Sequence, residues 1–144
     1  MITYPMSFFT TASSKSGTST LWTTNAKTES KIITMAIPPE FEGPGQGNSP
    51  EDLYAMALQN CFIATFKVFA EKSKLNYESI QVESELIVDR DDKGRPWMSK
   101  VKLNITLESP QNIDNAKRIL EKTSQNCMIL NSVKTDKEFH FVIR

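Results

Sequence analysis

From Leu53 to Ala70 the chain is apolar almost without a break, interrupted only by Gln59, Asn60, Thr65 and Lys67. Ser49-Pro50-Glu51-Asp52 stands just before this run and reads as a helix start. A hydroxyl can cap the first turn, proline loses nothing at the first helical position, and two carboxylates face the positive end of the peptide dipoles. The pattern predicts a helix from Pro50 to about Ser73 that lacks the polar face of a surface helix. Such a helix must be covered on most sides, and a chain of this size covers it more easily if a second subunit contributes.

Downstream the period changes from helical to alternating. Ile80, Val82, Ser84, Leu86 and Val88 alternate with Gln81, Glu83 and Glu85, and Val101, Leu103, Ile105 and Leu107 with Lys100, Lys102, Asn104 and Thr106. Two half-buried strands follow from that pattern, joined by the polar hairpin loop Asp89 to Pro96. Their Glu and Lys rows are expected to pair across the solvated face. Ser109-Pro110 reads as the opening of a second helix with the stripe Ile113, Ala116, Leu120, Thr123 and Cys127, and Phe139 to Ile143 as a closing strand. Ahead of the long helix, Ser7 to Ala12, Thr18 to Thr24 and Lys31 to Ile37 carry the β-branched and aromatic residues of two or three antiparallel strands. The order of elements predicts a single α+β domain over residues 1–144, antiparallel sheets with a buried central helix and a second helix on one side.

Composition narrows the function. Seventeen basic and seventeen acidic side chains cancel, so no global field gathers phosphate backbones or anionic lipid, and nucleic acid is not an expected partner. Met1 to Pro5 lacks the basic and apolar regions of a signal peptide, and no uncharged apolar run reaches about 18 residues, so no membrane and a cytoplasmic location are expected. Two cysteines are too few for a secreted disulfide scaffold or a closed structural zinc site. The single histidine, His140, sits in the closing strand and excludes multi-histidine metal sites. Gly43 to Gly47 precede a helix but lack the strand and Lys-Ser/Thr of a phosphate loop, so they read as backbone turns. No metal and no cofactor is expected.

Each cysteine alone fits a small buried hydrophobe as well as a nucleophile. Redox chemistry requires a thiolate, hence nearby cations or hydrogen-bond donors, and a second thiol within reach.

Gly43-Pro44-Gly45-Gln46-Gly47-Asn48-Ser49-Pro50-Glu51-Asp52-Leu53, followed by Ala57, Leu58 and Cys61-Phe62, resembles the glycine-rich loop and central helix of the OsmC/Ohr family. Gln125-Asn126-Cys127-Met128 stands where that family places its second cysteine. The resemblance implies an intertwined homodimer and a thiol peroxidase that reduces organic hydroperoxides. Cys61 would then be the peroxidatic thiol, oxidised to a sulfenic acid, and Cys127 the resolving thiol. The resulting disulfide would be reopened by an external dithiol, in Ohr members commonly a lipoylated protein.

Glu51 occupies the position of the family's glutamate, ten residues before the first cysteine. Ten helical residues span about 15 Å, so Glu51 could serve a thiol only across a subunit interface or through a partner side chain. The family's N-terminal arginine is missing, since no arginine precedes Arg90, and Lys15 stands in its place when the turn is aligned on Gly17. Lysine keeps the charge but loses the planar fork that binds a carboxylate bidentately. Tyr54, Phe62, Phe66 and Met128 would line an apolar approach to the thiols, suiting a hydroperoxide with a hydrocarbon tail. The alternative is a ligand-binding or stress-response protein on the same fold, with little or no peroxidase activity.

Overall fold

Ser49 and Asp52 tie the first turn of the long helix together: the Asp52 amide donates to Ser49 Oγ at 3.0 Å, and the Ser49 amide to Asp52 Oδ2 at 2.9 Å. This reciprocal cap satisfies two backbone donors that would otherwise be orphaned. The helix, α1, runs Pro50–Lys72, as its apolar run requires.

The computed structural model describes residues 1–144. It divides into two compact units, Met1–Leu53 and Tyr54–Arg144. The first holds three short antiparallel strands in the order of the chain, β1 Thr10–Ser13, β2 Trp22–Ala26 and β3 Ile33–Met35. Trp22 pairs with Met35, and Ala12 and Ile33 flank Thr24. Most of this sheet is exposed, including Ile33 and the preceding Phe8 and Phe9.

After β3 the chain folds back in a tight loop. The Asn48 amide donates to Thr34 O at 2.9 Å and the Ala36 amide to Asn48 O at 3.0 Å, closing the loop at its base. Gly43 packs so closely on Ile37 that an added Cβ would collide with that residue's carbonyl. Gly45 has φ +65°, a left-handed conformation that glycine adopts without steric cost. The glycines are structural, as their turn pattern predicts.

The second unit is built on a three-stranded sheet, β4 Ser79–Arg90, β5 Pro96–Glu108 and β6 Asp136–Ile143, with β5 in the centre. β4 and β5 form the expected hairpin, with Val82 opposite Ile105 and Leu86 opposite Val101. β6 pairs with β5 in parallel, so this sheet is mixed rather than wholly antiparallel. A parallel neighbour needs a crossover that returns the chain to the same end. Here the crossover consists of α2 Ile113–Asn126 and a single-turn helix, α3 Met128–Asn131.

Leu58, Phe62, Phe66 and Ala70 of α1 meet Val101, Leu103, Ile105 and Leu107 of β5 and Ala116, Ile119 and Leu120 of α2 in one core. Phe62 packs on Phe139 and Phe141 of β6 with ring centroids 5.9 and 6.2 Å apart. The opposite face of α1 is open: Met56, Ala57, Ala64 and Val68 are exposed. The central helix is therefore buried along one face only. By length and composition α1, with Lys67 inside its apolar run, is also long enough to cross a bilayer; the core along its other face gives the apolar residues a role without a membrane.

α2 opens three residues later than Ser109-Pro110 suggests. Asn112 caps it, accepting from the Asn115 amide at 2.9 Å. The buried stripe is Ala116, Ile119, Leu120 and Thr123, whereas Ile113 is exposed. The expected pairing across β4 and β5 is made by Lys102 with Glu85 at 3.6 Å, and a further pair, Lys100 with Glu138 at 2.8 Å, joins β5 to β6.

Candidate functional site

Cys61 lies on α1, one residue before the buried Phe62, and is itself half-buried. Cys127 is fully buried and sits in no helix: with φ −72° and ψ 116° it is the extended joint between α2 and α3. That bend, in place of the last turn of a longer helix, directs the start of α3 at α1. The Ile129 amide donates to Cys61 Sγ at 3.4 Å. A backbone donor is a fixed dipole that favours the charged form of the sulfur it points at.

Both cysteines are free thiols, and the Cys127 thiol lies within hydrogen-bonding reach of Cys61. Burial, followed by the hydrogen bond to Cys61, pushes the Cys127 thiol up to about 11. The Leu130 amide and the Thr65 hydroxyl act in the opposite direction without reversing it. At neutral pH Cys127 therefore stays protonated and is placed to donate to the Cys61 sulfur. Thr65, one helical turn beyond Cys61, holds its Oγ1 4.0 Å from Cys61 Sγ. The arrangement directs one amide and one thiol donor at the Cys61 sulfur and keeps a second sulfur beside it.

The sequence profile of OsmC-like proteins matches residues 43–141 of this chain. The chain belongs to the OsmC-like family. Among its relatives, the uncharacterized protein YmaD of Bacillus subtilis is 30% identical over 112 residues, covering 74% of each chain. An OsmC-like protein of unknown function from Vibrio cholerae superposes with a TM-score of 0.84 at 19% identity, over 96% of this chain and 100% of the other. The organic hydroperoxide resistance protein OhrB of Bacillus subtilis superposes at 0.70 with 13% identity, over 96% and 98% of the two chains. At these identities the superpositions speak for the OsmC-like fold.

Within this OsmC-like chain the structure brings Cys61 and Cys127 together in the second unit. Glu51 and Lys15 belong to the first unit. Glu51 is in the opening turn of α1, and its Oε2 is buried without a hydrogen-bond partner. Lys15 is exposed in the turn after β1. Neither enters an ion pair.

The apolar residues expected around the thiols divide. Phe62 and Phe66 are fully buried and serve the core, Met128 is 70% exposed, and the Tyr54 hydroxyl is pinned to Thr135 Oγ1 at 2.6 Å. The approach to Cys61 is thus not lined by the two phenylalanines, because both point into the sheet.

Two contributors escape a reading of the sequence. Thr65 was open to discovery, since i and i+4 share a helix face. The Ile129 amide carries no side-chain signal; it becomes a donor only because the chain bends at Cys127.

Proposed function

We propose that this OsmC-like protein is a thiol-dependent peroxidase that reduces organic hydroperoxides through Cys61 and Cys127. The observation that carries the proposal is the buried, protonated Cys127 thiol beside a Cys61 sulfur that already receives the Ile129 amide. Hydroperoxide resistance proteins among the structural relatives favour the same substrate class.

In the first step the Cys61 thiolate attacks the terminal oxygen of the hydroperoxide. The O–O bond breaks, the sulfur becomes a sulfenic acid, and the departing alkoxide takes up a proton to leave as an alcohol. In the second step the Cys127 sulfur attacks the Cys61 sulfenate sulfur. A disulfide forms, and hydroxide leaves with the Cys127 proton as water. An external dithiol then reduces the disulfide by exchange.

Glu51 and Lys15 enter this reading as a charged pair that supports the first step. A buried carboxylate oxygen without a donor is costly, which supports a cationic partner for Glu51 Oε2 when the protein works. Lys15, free of ion pairs, is the candidate for that partner. We also assign a homodimer, supported by the open face of α1 and the exposed sheet of the first unit.

Intact-mass measurement of the reduced protein, before and after one equivalent of cumene hydroperoxide, tests the reaction. The expected result is a loss of two hydrogens that disappears in Cys61→Ser and in Cys127→Ser, with Cys127→Ser gaining one oxygen instead. An unchanged mass with both thiols free defeats the proposal. Saturable binding of an apolar ligand by such an inert protein would then point to the ligand-binding alternative.

A further inference from the structure

Threonines and serines inside helices commonly turn their hydroxyls back onto the carbonyl one turn earlier. This chain shows the habit: Thr123 Oγ1 donates to Ile119 O at 2.7 Å, and Ser132 Oγ to Met128 O at 2.8 Å. Thr65 departs from it. Its Oγ1 faces the Cys61 sulfur at 4.0 Å, and the same hydroxyl acts on the Cys127 thiol in the direction that eases loss of its proton. One hydroxyl therefore serves two sulfurs.

The distance to Cys61 is informative. A distance of 4.0 Å is loose for a bond from hydroxyl to thiol, but it leaves room for the oxygen that Cys61 gains on oxidation. Hydroxyl-to-oxygen hydrogen bonds close at about 2.7–2.8 Å. Thr65 is thus better placed for the sulfenate than for the resting thiol.

We infer that Thr65 is a catalytic residue of the second step, a relay that carries the proton of the Cys127 thiol to the hydroxyl leaving Cys61. The inference rests on the peroxidase reading above. As the bond between the two sulfurs forms and the Cys61 S–O bond breaks, Thr65 Oγ1 accepts the proton of Cys127 and passes its own to the departing oxygen. The products are one disulfide and one water, the Thr65 hydroxyl is regenerated, and no further reactant is consumed.

The environment of Cys127 gives the relay its purpose. In the resting pair burial and the neighbouring Cys61 push the Cys127 thiol up to about 11, so a group that takes its proton during the attack has a purpose. The groups acting on Cys127 are Cys61, the Leu130 amide and Thr65, and none is a charged side chain able to act as base. Thr65 is the one hydroxyl among them. Its position alongside Cys61 on α1 also spares it the loss of freedom that a loop residue would suffer on each turnover.

Rapid mixing with one equivalent of cumene hydroperoxide, quenched and read by mass, separates sulfenate formation from its resolution. Thr65→Val should form the sulfenate within about threefold of the wild-type rate, because the Ile129 amide remains, and should resolve it at least about tenfold more slowly. Its resolution should also accelerate with rising pH, where the wild type is flat, since hydroxide must now remove the proton. Thr65→Ser, which keeps the hydroxyl, should restore both the rate and the flat profile. Resolution by Thr65→Val at the wild-type rate, or slowed with the wild-type pH profile, overturns the relay. A wild type that forms no sulfenate fails the peroxidase reading itself and removes the relay with it, an outcome distinct from both.

Discussion

Cys127 and Cys61 are the same chemical group in two environments, and burial is what separates them. The folded protein holds the Cys127 proton well above the ordinary thiol value of 9.0, at about 11. A raised value means that the folded state binds this proton more tightly than the unfolded chain does. The group's contribution to stability is therefore fully present below about pH 9 and is lost as pH rises through about 11. By about pH 10.5 the loss amounts to about 2 kcal/mol, since each tenfold difference in proton affinity between the two states is worth about 1.4 kcal/mol. Urea unfolding of the reduced protein at about pH 8 and about pH 10.5 should show that decline for the wild type over and above any decline in Cys127→Ala. Parallel declines in the two proteins would mean that the buried thiol is not the source. Among residues, the two cysteines could be picked out because they sit in a motif, and the structure sets them side by side, whereas Thr65 looked like one polar break in an apolar run. Its meaning depended on where a single hydroxyl points, which spacing does not specify.

Periodicity and caps wrote most of the secondary structure into the chain, and the elements it missed share a cause. α1 could be read from its Ser-Pro-Glu-Asp opening, and the β4–β5 hairpin from its alternation. The bend at Cys127 and the one-turn α3 left no such trace, because a four-residue helix is too short to display a period. The same limit hid the parallel pairing of β6, since strand direction is decided by the crossover and not by the strand's own residues. Asn112 displaced Ser109 as the cap of α2 for a local reason: Ser109 has φ +49°, and the Asn112 side chain reaches the Asn115 amide. The glycine loop ahead of α1 was legible as a turn, and its tightness gives a test. Gly43→Ala places a methyl group on the Ile37 carbonyl, and a backbone atom cannot step aside as a side chain can. Its cost should be about 2 kcal/mol or more, against about 1 kcal/mol at Gly94, where there is open space and only a φ of +77° to oppose. Thermal or urea unfolding of the two variants compares them directly. Equal costs would show that the loop yields.

For the molecule as a whole, the apolar run of α1 carried a message that one chain satisfies only on one side. Leu58, Phe62, Phe66 and Ala70 are buried, while Met56, Ala57, Ala64 and Val68, on the other side of the same helix, face solvent. The assigned homodimer gives that stripe a partner. Val68→Glu, which sets a charge at its C-terminal end without touching the buried face, should convert a dimer to monomers in sedimentation equilibrium and leave the helical content unchanged. A dimer that tolerates the charge, or a wild type that sediments as a monomer, would place the subunit contact elsewhere or remove it. One consequence of the crossover concerns the time before the protein is finished. Because Cys127 and the Ile129 amide follow α2 in the chain, the neighbourhood of Cys61 is completed only after the α2–α3 crossover has been made. Cys61 leaves the ribosome well ahead of Cys127, so a growing chain carries the first thiol with nothing to close on it. If Cys61 is the peroxidatic thiol proposed above, oxidation at that stage has no internal route back to a disulfide. On the peroxidase reading, newly made molecules are thus the vulnerable ones.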